Sequence, residues 1–249
     1  MKNIAIADDE RLDFVNEKIT LIQKKDGLTF GTDAFLLASF IKPKRYGRAA
    51  ELGAGTGIIS LLLAARDKFS TVDAFEIQED FASLSKRNAI ANSLDGKVKV
   101  LCRDVRDLRS AEFGEYDVIF TNPPYMKTDS GKRNESDRKY IARHEVCGNI
   151  GDFCAAAFRL LKHGGKFYAV WRPDRLCDLI CAMRDNRLEP KVMTLVSATE
   201  QSAPSMVLVS ATKGGASGIT LTPPLILYRD GTLDLSEKAQ RIYDTLSFE

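Results

Sequence analysis

The sequence predicts an α/β fold: a doubly wound, mostly parallel sheet of seven strands with an antiparallel last strand, an N-terminal β-turn and helix extension, and a short C-terminal tail. Two observations carry this prediction. Short apolar runs alternate with runs of helical period through the middle of the chain, and strands joined through helices pair in parallel with helices on both faces. After Pro190, two β-rich runs are separated only by a polar loop, which predicts an antiparallel pair.

The extension comes first along the chain. Residues 18–23 are predicted to form a strand, KKDG a turn, and Thr32 the cap of a helix that runs through Phe40. We expect three regions, namely the extension packed on the core at 1–48, the core at 49–214 and the tail at 215–249.

The core alternates strands with helices. The predicted strands are 49–52, 72–77, 98–103, 116–121 and 166–171, and the predicted helices are 57–69, 79–92, 152–161 and 173–187. The antiparallel pair is 191–196 with 206–212, because the joining loop, ATEQSAPS, is too short to contain a crossover helix. In the tail, the amphipathic segment LSEKAQRIYDTL is predicted to fold back on the core, since four of its residues share one helical side: Ala239, Ile242, Tyr243 and Leu246.

Composition narrows the class of protein. The chain has 249 residues, 44% of them hydrophobic, and 36 Lys and Arg against 34 Asp and Glu. The net charge of +2 excludes both an acidic solvating protein and a histone-like one, so a nucleic-acid partner has to be met by a local basic patch. The longest apolar run, 58–65, is far shorter than the ~20 residues that span a bilayer. We expect a cytoplasmic protein without a membrane partner.

The cysteines predict neither disulfides nor a metal site. Their number is odd and they are scattered: Cys102, Cys147, Cys154, Cys177 and Cys181. An odd, scattered set argues against a disulfide framework. Cys177 and Cys181 are four residues apart, but the chain has no Cys-x-x-Cys pair, and the two histidines lie far away in sequence. We therefore expect reduced thiols and no metal.

A glycine-rich turn, ELGAGTG, joins the first core strand to its helix at residues 51–57. Glycines at such a turn let the backbone approach a ligand, and the helix start offers unpaired N–H groups. The dinucleotide pattern G-x-G-x-x-G requires a glycine where Ile58 stands. The turn therefore predicts a cofactor site of another kind.

Two acids follow the next two strands. Glu76 ends the second core strand and Asp104 follows the third, at the sheet edge where ligands bind in open α/β folds. There a carboxylate can accept both ribose hydroxyls, and a second can accept a bond from an adenine amino group. Each acid alone is also explained as a strand-end cap or a solvated charge.

The turn NPPY follows the fourth core strand and consists of Asn122, Pro123, Pro124 and Tyr125. Its prolines lack N–H donors and favour extended backbone, so the turn presents acceptors: the Asn122 side-chain oxygen and the Pro123 carbonyl. Two acceptors can bind the hydrogens of a planar amine and so align its lone pair with a methyl donor. Tyr125 can stack on a flat substrate. The structural alternative is a proline turn that only ends a strand.

Together, ELGAGTG, the acid of AFEIQ, the RD of CRDV and NPPY resemble class I methyltransferases that methylate adenine N6, guanine N2 or glutamine amides. Five further segments are similar to the bacterial tRNA adenine N6-methyltransferases that modify valine tRNA: LTFGTDAFLLASF, RNAIAN, ARHE, VLVSATKGG and TPPLILY. The resemblance extends from about residue 11 to residue 228. It implies S-adenosylmethionine as the cofactor and tRNA, specifically adenine 37 of valine tRNA, as the substrate.

The resemblance also implies roles for individual residues. The expected catalytic residues are those of NPPY. The expected cofactor contacts are Thr32, Asp33, Glu51, Gly53, Ala54, Gly55, Gly57, Glu76, Ile77, Asp104, Val105 and Asn122. For the first two, the alternative is a capped helix start.

Two basic segments are candidates for contact with RNA phosphates, although a charged segment is usually only solvated. One follows the catalytic turn and supplies Lys132, Arg133, Arg138, Lys139 and Arg143. The other precedes the first core strand, is expected on the cleft side of the sheet, and supplies Lys42, Lys44 and Arg45.

Other functions remain open at this point. A glutamine N5-methyltransferase acting on a translation protein shares NPPY, although such enzymes carry a helical domain before the glycine turn and only 52 residues precede Gly53 here. A nucleotide-binding protein without catalysis, or a nicotinamide dehydrogenase, is disfavoured by the glycine spacing and by Asn122. A small-molecule O-methyltransferase would require a base or a metal to ionise a hydroxyl.

Overall fold

The structure is a computed structural model that describes residues 5–25, 30–123, 148–229 and 231–248. The strands are β1 Glu10–Asn16, β2 Ile19–Lys24, β3 Arg48–Leu52, β4 Thr71–Glu76, β5 Val98–Cys102, β6 Tyr116–Thr121, β7 Leu161–Trp171, β8 Leu188–Ser197, β9 Met206–Lys213, β10 Thr220–Leu221 and β11 Leu225–Ile226. The helices are α1 Thr32–Phe40, α2 Ile58–Ala65, α3 Glu79–Ala91, α4 Ser110–Phe113, α5 Ile150–Leu160, α6 Leu176–Asp185 and α7 Glu237–Thr245.

The main sheet has the strand order β10-β8-β9-β7-β6-β3-β4-β5, with β11 also paired to β8. Strands β3 to β7 are parallel, whereas β9 lies antiparallel between β7 and β8. This confirms the doubly wound sheet and its antiparallel strand. The predicted count of seven strands was too low for the described residues, because β10 and β11 pair parallel to β8 at the sheet edge. Short strands of this kind cover an edge whose backbone groups would otherwise be unpaired.

Helices bury both faces of the sheet. Helices α1, α2 and α7 pack on one face, and α5 and α6 pack on the other. Strand β6 shows the consequence, since Val118 and Phe120 belong to the first apolar layer and Ile119 to the second. Burial on both faces is why such parallel strands are continuously apolar rather than alternating.

Several element boundaries differ from the predictions. Strand β1 was not predicted; it pairs antiparallel with β2 in a hairpin. Helix α2 ends at Ala65 instead of residue 69, and the positive φ of 51° at Asp67 reverses the chain there. The next residue, Lys68, is buried and donates to the carbonyls of Ala38 and Ile41 at the end of α1, both at 2.9 Å. A cation at a helix C-terminus satisfies carbonyls that lack a partner within the helix.

Two asparagines, Asn88 in α3 and Asn92 at its C-terminal cap, pair with the backbone of the hairpin as a neighbouring strand would. Asn88 Oδ1 accepts from the Ile22 N–H at 2.7 Å and Asn88 Nδ2 donates to the Ile22 carbonyl at 3.1 Å. Asn92 makes the same pair of bonds with the backbone of Thr20, at 2.9 and 2.8 Å. Asn88 Nδ2 also donates to the Thr56 carbonyl at 3.0 Å, so this buried side chain links the extension to the glycine turn.

The tail folds back on the core, as predicted. Helix α7 is capped by Ser236, whose hydroxyl accepts from the Ala239 N–H. Ala239, Ile242 and Leu246 are buried in the layer that contains α1. In the ranges that the structure describes, no helix has both the length and the hydropathy to span a membrane. Among those same residues, four cysteines are free thiols and no cluster of His, Cys, Asp and Glu is suited to a metal ion; Cys147 lies outside them.

Replacing Asn88 should destabilise the protein. In Asn88→Ala, the Ile22 and Thr56 backbone groups lose their partners in a buried environment, which costs about 2–4 kcal/mol of unfolding free energy. Urea denaturation of Lys86→Ala, an exposed position of the same helix, is the matched control and should shift the free energy by less than about 0.5 kcal/mol. Equal stability of the two variants would mean that these bonds do not hold the extension.

Candidate active site

Four adjacent strands end at one edge of the sheet and bring the predicted site residues together. Asn122 follows β6, Gly53 follows β3, Glu76 ends β4 and Asp104 comes shortly after β5. These strands are neighbours in the order β6-β3-β4-β5 and run in parallel. Three interstrand spacings amount to roughly 14 Å. The residues therefore line one continuous edge that can hold an extended ligand.

The glycine turn is bound to β4 through its backbone. The N–H groups of Gly53 and Ala54 both donate to the Phe75 carbonyl, at 2.9 and 3.0 Å. Gly55 has a φ of 54°, and a Cβ built there meets no atom within 4 Å. At Gly57 the φ is 81° and a Cβ would lie 2.2 Å from Ser85 Oγ of α3. Gly55 thus leaves open space at the edge, whereas Gly57 is required by the close packing of α3.

Glu76 is buried at the centre of this edge and is only 4% exposed. Its Oε2 accepts from the Gly55 N–H at 2.8 Å and its Oε1 from the Gln78 N–H at 2.9 Å. Burial raises the pKa of Glu76, and the backbone N–H groups oppose that rise. Each carboxylate oxygen can accept more than one hydrogen bond. The side chain is therefore held with acceptor capacity for two hydroxyl groups.

Glu51 lies beneath the turn rather than along its open side. It is 2% exposed, and its Oε2 accepts from both the N–H and the hydroxyl of Ser60 in α2. Burial raises the pKa of Glu51 to about 8. The structure therefore gives Glu51 a role in fixing the start of α2; its expected cofactor contact stays a prediction.

Asp104 is engaged locally. It caps a short 3-10 turn by accepting from the Arg106 N–H at 2.8 Å, and both of its oxygens accept from the Arg106 guanidinium. Those bonds lower the pKa of Asp104. Its neighbour Val105 is buried and Ile77 is half-buried. The capping role that sequence alone suggested is present, and a contact with an adenine amino group stays a prediction.

Asn122 is held from across the fold. Its Nδ2 donates to Asp33 Oδ2 at 2.8 Å. Because a carboxylate only accepts, this bond places the amide nitrogen, not the amide oxygen, against Asp33. Pro123 is buried beside it, whereas Pro124 and Tyr125 lie outside the described residues. Sequence analysis did not find the contact between Asp33 and Asn122.

Thr32 does not cap α1. The cap position is Gly31, which makes no side-chain bond, and Thr32 is the first residue of the helix. The prediction was wrong because the helix starts one residue earlier in the turn than the pattern suggested.

Asp33, which binds the Asn122 side chain, also lines a cavity of about 580 Å³. Trp171 and Arg172 at the end of β7 form one wall, and Pro204 and Met206 at the start of β9 form another. Strand β7 is the neighbour of β6, so the cavity lies next to Asn122 on the side away from Glu76. Sequence analysis missed these residues, although the chain's single tryptophan at the end of a parallel strand was an available signal.

The basic patch before β3 is not on the cleft side. Lys44 Nζ donates to Asp117 at 2.7 Å, at the start of β6, and Arg48 Nη2 donates to Asp73 of β4 at 3.0 Å. Parallel strands that end at the site must begin at the opposite edge, and this patch, with Lys42 and Arg45, lies at that opposite edge. The five basic residues expected after NPPY, Lys132, Arg133, Arg138, Lys139 and Arg143, lie outside the described residues.

The known proteins to which this chain is similar are methyltransferases. Residues 24–183 match the profile of the family described as the methyltransferase small domain. Two curated relatives are named tRNA1(Val) (adenine(37)-N6)-methyltransferase. The protein from Pedobacter heparinus is 31% identical over 57% of this chain and 59% of its own length. The protein from Parabacteroides distasonis is 29% identical over 79% of this chain and 81% of its own length.

Solved structures share the fold. A protein from Agrobacterium tumefaciens described as a predicted O-methyltransferase superposes with a TM-score of 0.72 at 24% identity, covering 88% of this chain and 98% of its own. TYW2 from M. jannaschii, solved in complex with AdoMet, gives a TM-score of 0.55 at 15% identity over 85% of this chain and 89% of its own. These matches confirm the class I methyltransferase fold.

Burial of Glu51 predicts a specific dependence of stability on pH. Its pKa rises from 4.5 to about 8 on folding, so between these values the folded protein retains a proton that the unfolded chain releases. The unfolding free energy therefore falls as pH rises from about 4.5 to about 8. In Glu51→Gln, residue 51 has no titratable group, so the fall in unfolding free energy over this pH range should be smaller by about 3 kcal/mol.

Urea denaturation at pH 5, 6, 7 and 8 measures the effect. Glu112→Gln, at a half-exposed position of α4, is the matched control and should follow the wild type. A Glu51→Gln curve parallel to the wild-type curve would show that Glu51 is ionised throughout.

Proposed function

Because the chain belongs to the methyltransferase small domain family, we propose that it methylates the exocyclic N6 amine of an adenine in tRNA, specifically adenine 37 of a valine tRNA. The chain is an S-adenosylmethionine-dependent methyltransferase. The observation that carries the choice of an amine is the Asn122 amide, held by Asp33 at the sheet edge beside the glycine turn. The names of the relatives from Pedobacter and Parabacteroides support adenine in tRNA as the acceptor.

The residues at the edge fit S-adenosylmethionine. When bound, it supplies an electrophilic methyl group on a sulfonium. The buried Glu76 carboxylate has acceptor capacity for the two ribose hydroxyls, and Gly55 leaves open space where the ligand has to pass. Asp104 and the adjacent Val105 are assigned to the adenine ring, since they follow β5 at the far end of the same edge.

The catalytic turn acts on the amine rather than on the cofactor. An exocyclic amine is a weak nucleophile because its lone pair is delocalised into the ring. We assign the Asn122 side-chain oxygen and the Pro123 carbonyl to the two amine hydrogens. As the nitrogen becomes pyramidal in the transition state these bonds strengthen, which is how an acceptor pair lowers the barrier without a strong base.

The cavity beside Asn122 is assigned to the acceptor base. Trp171, Met206 and Pro204 give it apolar surface for a flat ring, and Arg172 places a guanidinium at its wall. An adenine in a folded RNA has to leave its stack to enter such a cavity, and a cation beside it can bind the flanking phosphate. The Arg172 side chain is partly exposed and paired with Asp174 at 2.7 Å, so binding a phosphate would require Arg172 to exchange this partner.

The direct test uses methyl-labelled S-adenosylmethionine and bulk tRNA that lacks the modification. After digestion to nucleosides, the label is expected in N6-methyladenosine. Asn122→Ala should lower the transfer rate by about 100-fold, the usual cost of losing one group that stabilises a transition state. It should bind S-adenosylmethionine within a few-fold of the wild type.

The control is Asn186→Ala at the end of α6, which should transfer at the wild-type rate. Label that appears on glutamine of a protein substrate, with none in tRNA, would replace the adenine proposal by the glutamine alternative. A rate unchanged in Asn122→Ala would show that NPPY is only a structural turn.

A further inference from the structure

The start of α1 joins the catalytic turn to the C-terminal helix. Asp33 accepts from Asn122 Nδ2 at 2.8 Å across 89 residues of sequence. Tyr243 of α7 lies beside this segment, since Thr32 and Asp33 both influence the pKa of its hydroxyl. The Tyr243 ring stacks on Phe35, one turn further along α1, with centroids 5.0 Å apart and planes at 23°. One short helical segment thus contacts two distant parts of the chain.

An asparagine in a catalytic turn has two orientations of similar shape and opposite chemistry. With the oxygen toward the substrate, the amide accepts a hydrogen from an amine. With the nitrogen toward the substrate, the amide presents only N–H donors. These cannot accept the hydrogens of the amine and repel them. Asp33 distinguishes between them because a carboxylate only accepts and so selects the nitrogen. Hydrogen bonds to charged groups are stronger than those between neutral groups, so the contact favours the first orientation strongly.

The carboxylate is itself held in place. A Cβ at Gly31 would lie 2.7 Å from Asp33 Oδ1, so the side chain folds closely over the backbone at the helix start. Beyond it, Ala34, Leu36 and Leu37 are buried, which anchors α1 on the sheet. Helix α7 covers the other side through Ala239 and Ile242, both buried.

We propose that Asp33 is a positioning residue that orients the Asn122 amide for methyl transfer, and that Tyr243 holds the start of α1 so that Asp33 can do so. The inference rests on the proposed function and gives the C-terminal helix a part in it. Asp33 then acts through Asn122 and is not itself a ligand of the methyl donor, which differs from the cofactor contact expected from sequence.

The first test is a double-mutant cycle. Asp33→Ala should lower kcat by about 10- to 100-fold, with the affinity for S-adenosylmethionine changed by less than about 2-fold, because only the orientation of the acceptor is lost. Asp33→Asn, which still offers a carbonyl oxygen to the Asn122 nitrogen, should recover to within about 10-fold of the wild type. In the Asn122→Ala background, Asp33→Ala should cost less than about 2-fold.

Additive losses in the cycle would overturn the proposal, and so would a loss confined to cofactor affinity. Thermal unfolding of Asp33→Ala identifies a variant that fails to fold. In that event Asp33→Asn decides the question, since its kcat must be reduced in the wild-type background and unaffected in the Asn122→Ala background.

A second readout does not depend on activity. In ¹⁵N-labelled protein, the side-chain amide signals of Asn122, assigned by their loss in Asn122→Ala, should shift and exchange faster with solvent in Asp33→Ala. Unchanged signals would overturn the proposal. If the Asn122 signals change in Asp33→Ala while the wild type transfers no methyl group to tRNA, the contact between Asp33 and Asn122 is supported and tRNA is excluded as the substrate.

Tyr243 has its own test. Tyr243→Ala removes the ring that stacks on Phe35, and kcat should fall by about 2- to 5-fold with cofactor affinity unchanged. Tyr46→Ala, at a tyrosine that is 90% exposed, is the matched control. Wild-type kcat in Tyr243→Ala would overturn the bracing role of α7.

Discussion

Parallel pairing of β6, β3, β4 and β5 is the constraint on which the site depends. It forces four strands to end at the same edge, so that residues from distant parts of the sequence line one surface. The hydrogen bond from the Gly55 N–H to Glu76 then fixes the glycine turn to the end of β4. The same constraint puts the Lys44 patch at the opposite edge, with the strand starts.

The carboxylates near the edge have different hydrogen-bond partners, and these partners indicate different roles. Glu51 is buried against Ser60 and supports the start of α2. Glu76 accepts from the backbone N–H groups of Gly55 and Gln78 and retains acceptor capacity toward the edge. Asp33 faces the amide of Asn122. One acid thus stabilises the scaffold, one suits a diol and one orients an acceptor.

The sequence was sufficient for features that follow from local pattern. Strand and helix alternation predicted the sheet, and the positions of Glu76 and Asn122 at strand ends predicted a shared edge. Contacts between side chains far apart in sequence leave no periodic signal, so neither the bond between Asp33 and Asn122 nor the stacking of Phe35 on Tyr243 was predictable. The edge strand β10 was missed because two exposed residues show no apolar run.

The central claim is that S-adenosylmethionine binds at the carboxyl edge with Glu76 as its principal polar contact. Calorimetric titration of the wild type and Glu76→Ala with S-adenosylmethionine tests it, with Glu79→Ala, an exposed acid in the first turn of α3, as the control. The account predicts a loss of affinity of at least about 10-fold in Glu76→Ala and none in Glu79→Ala. Equal affinity of Glu76→Ala and wild type would contradict it.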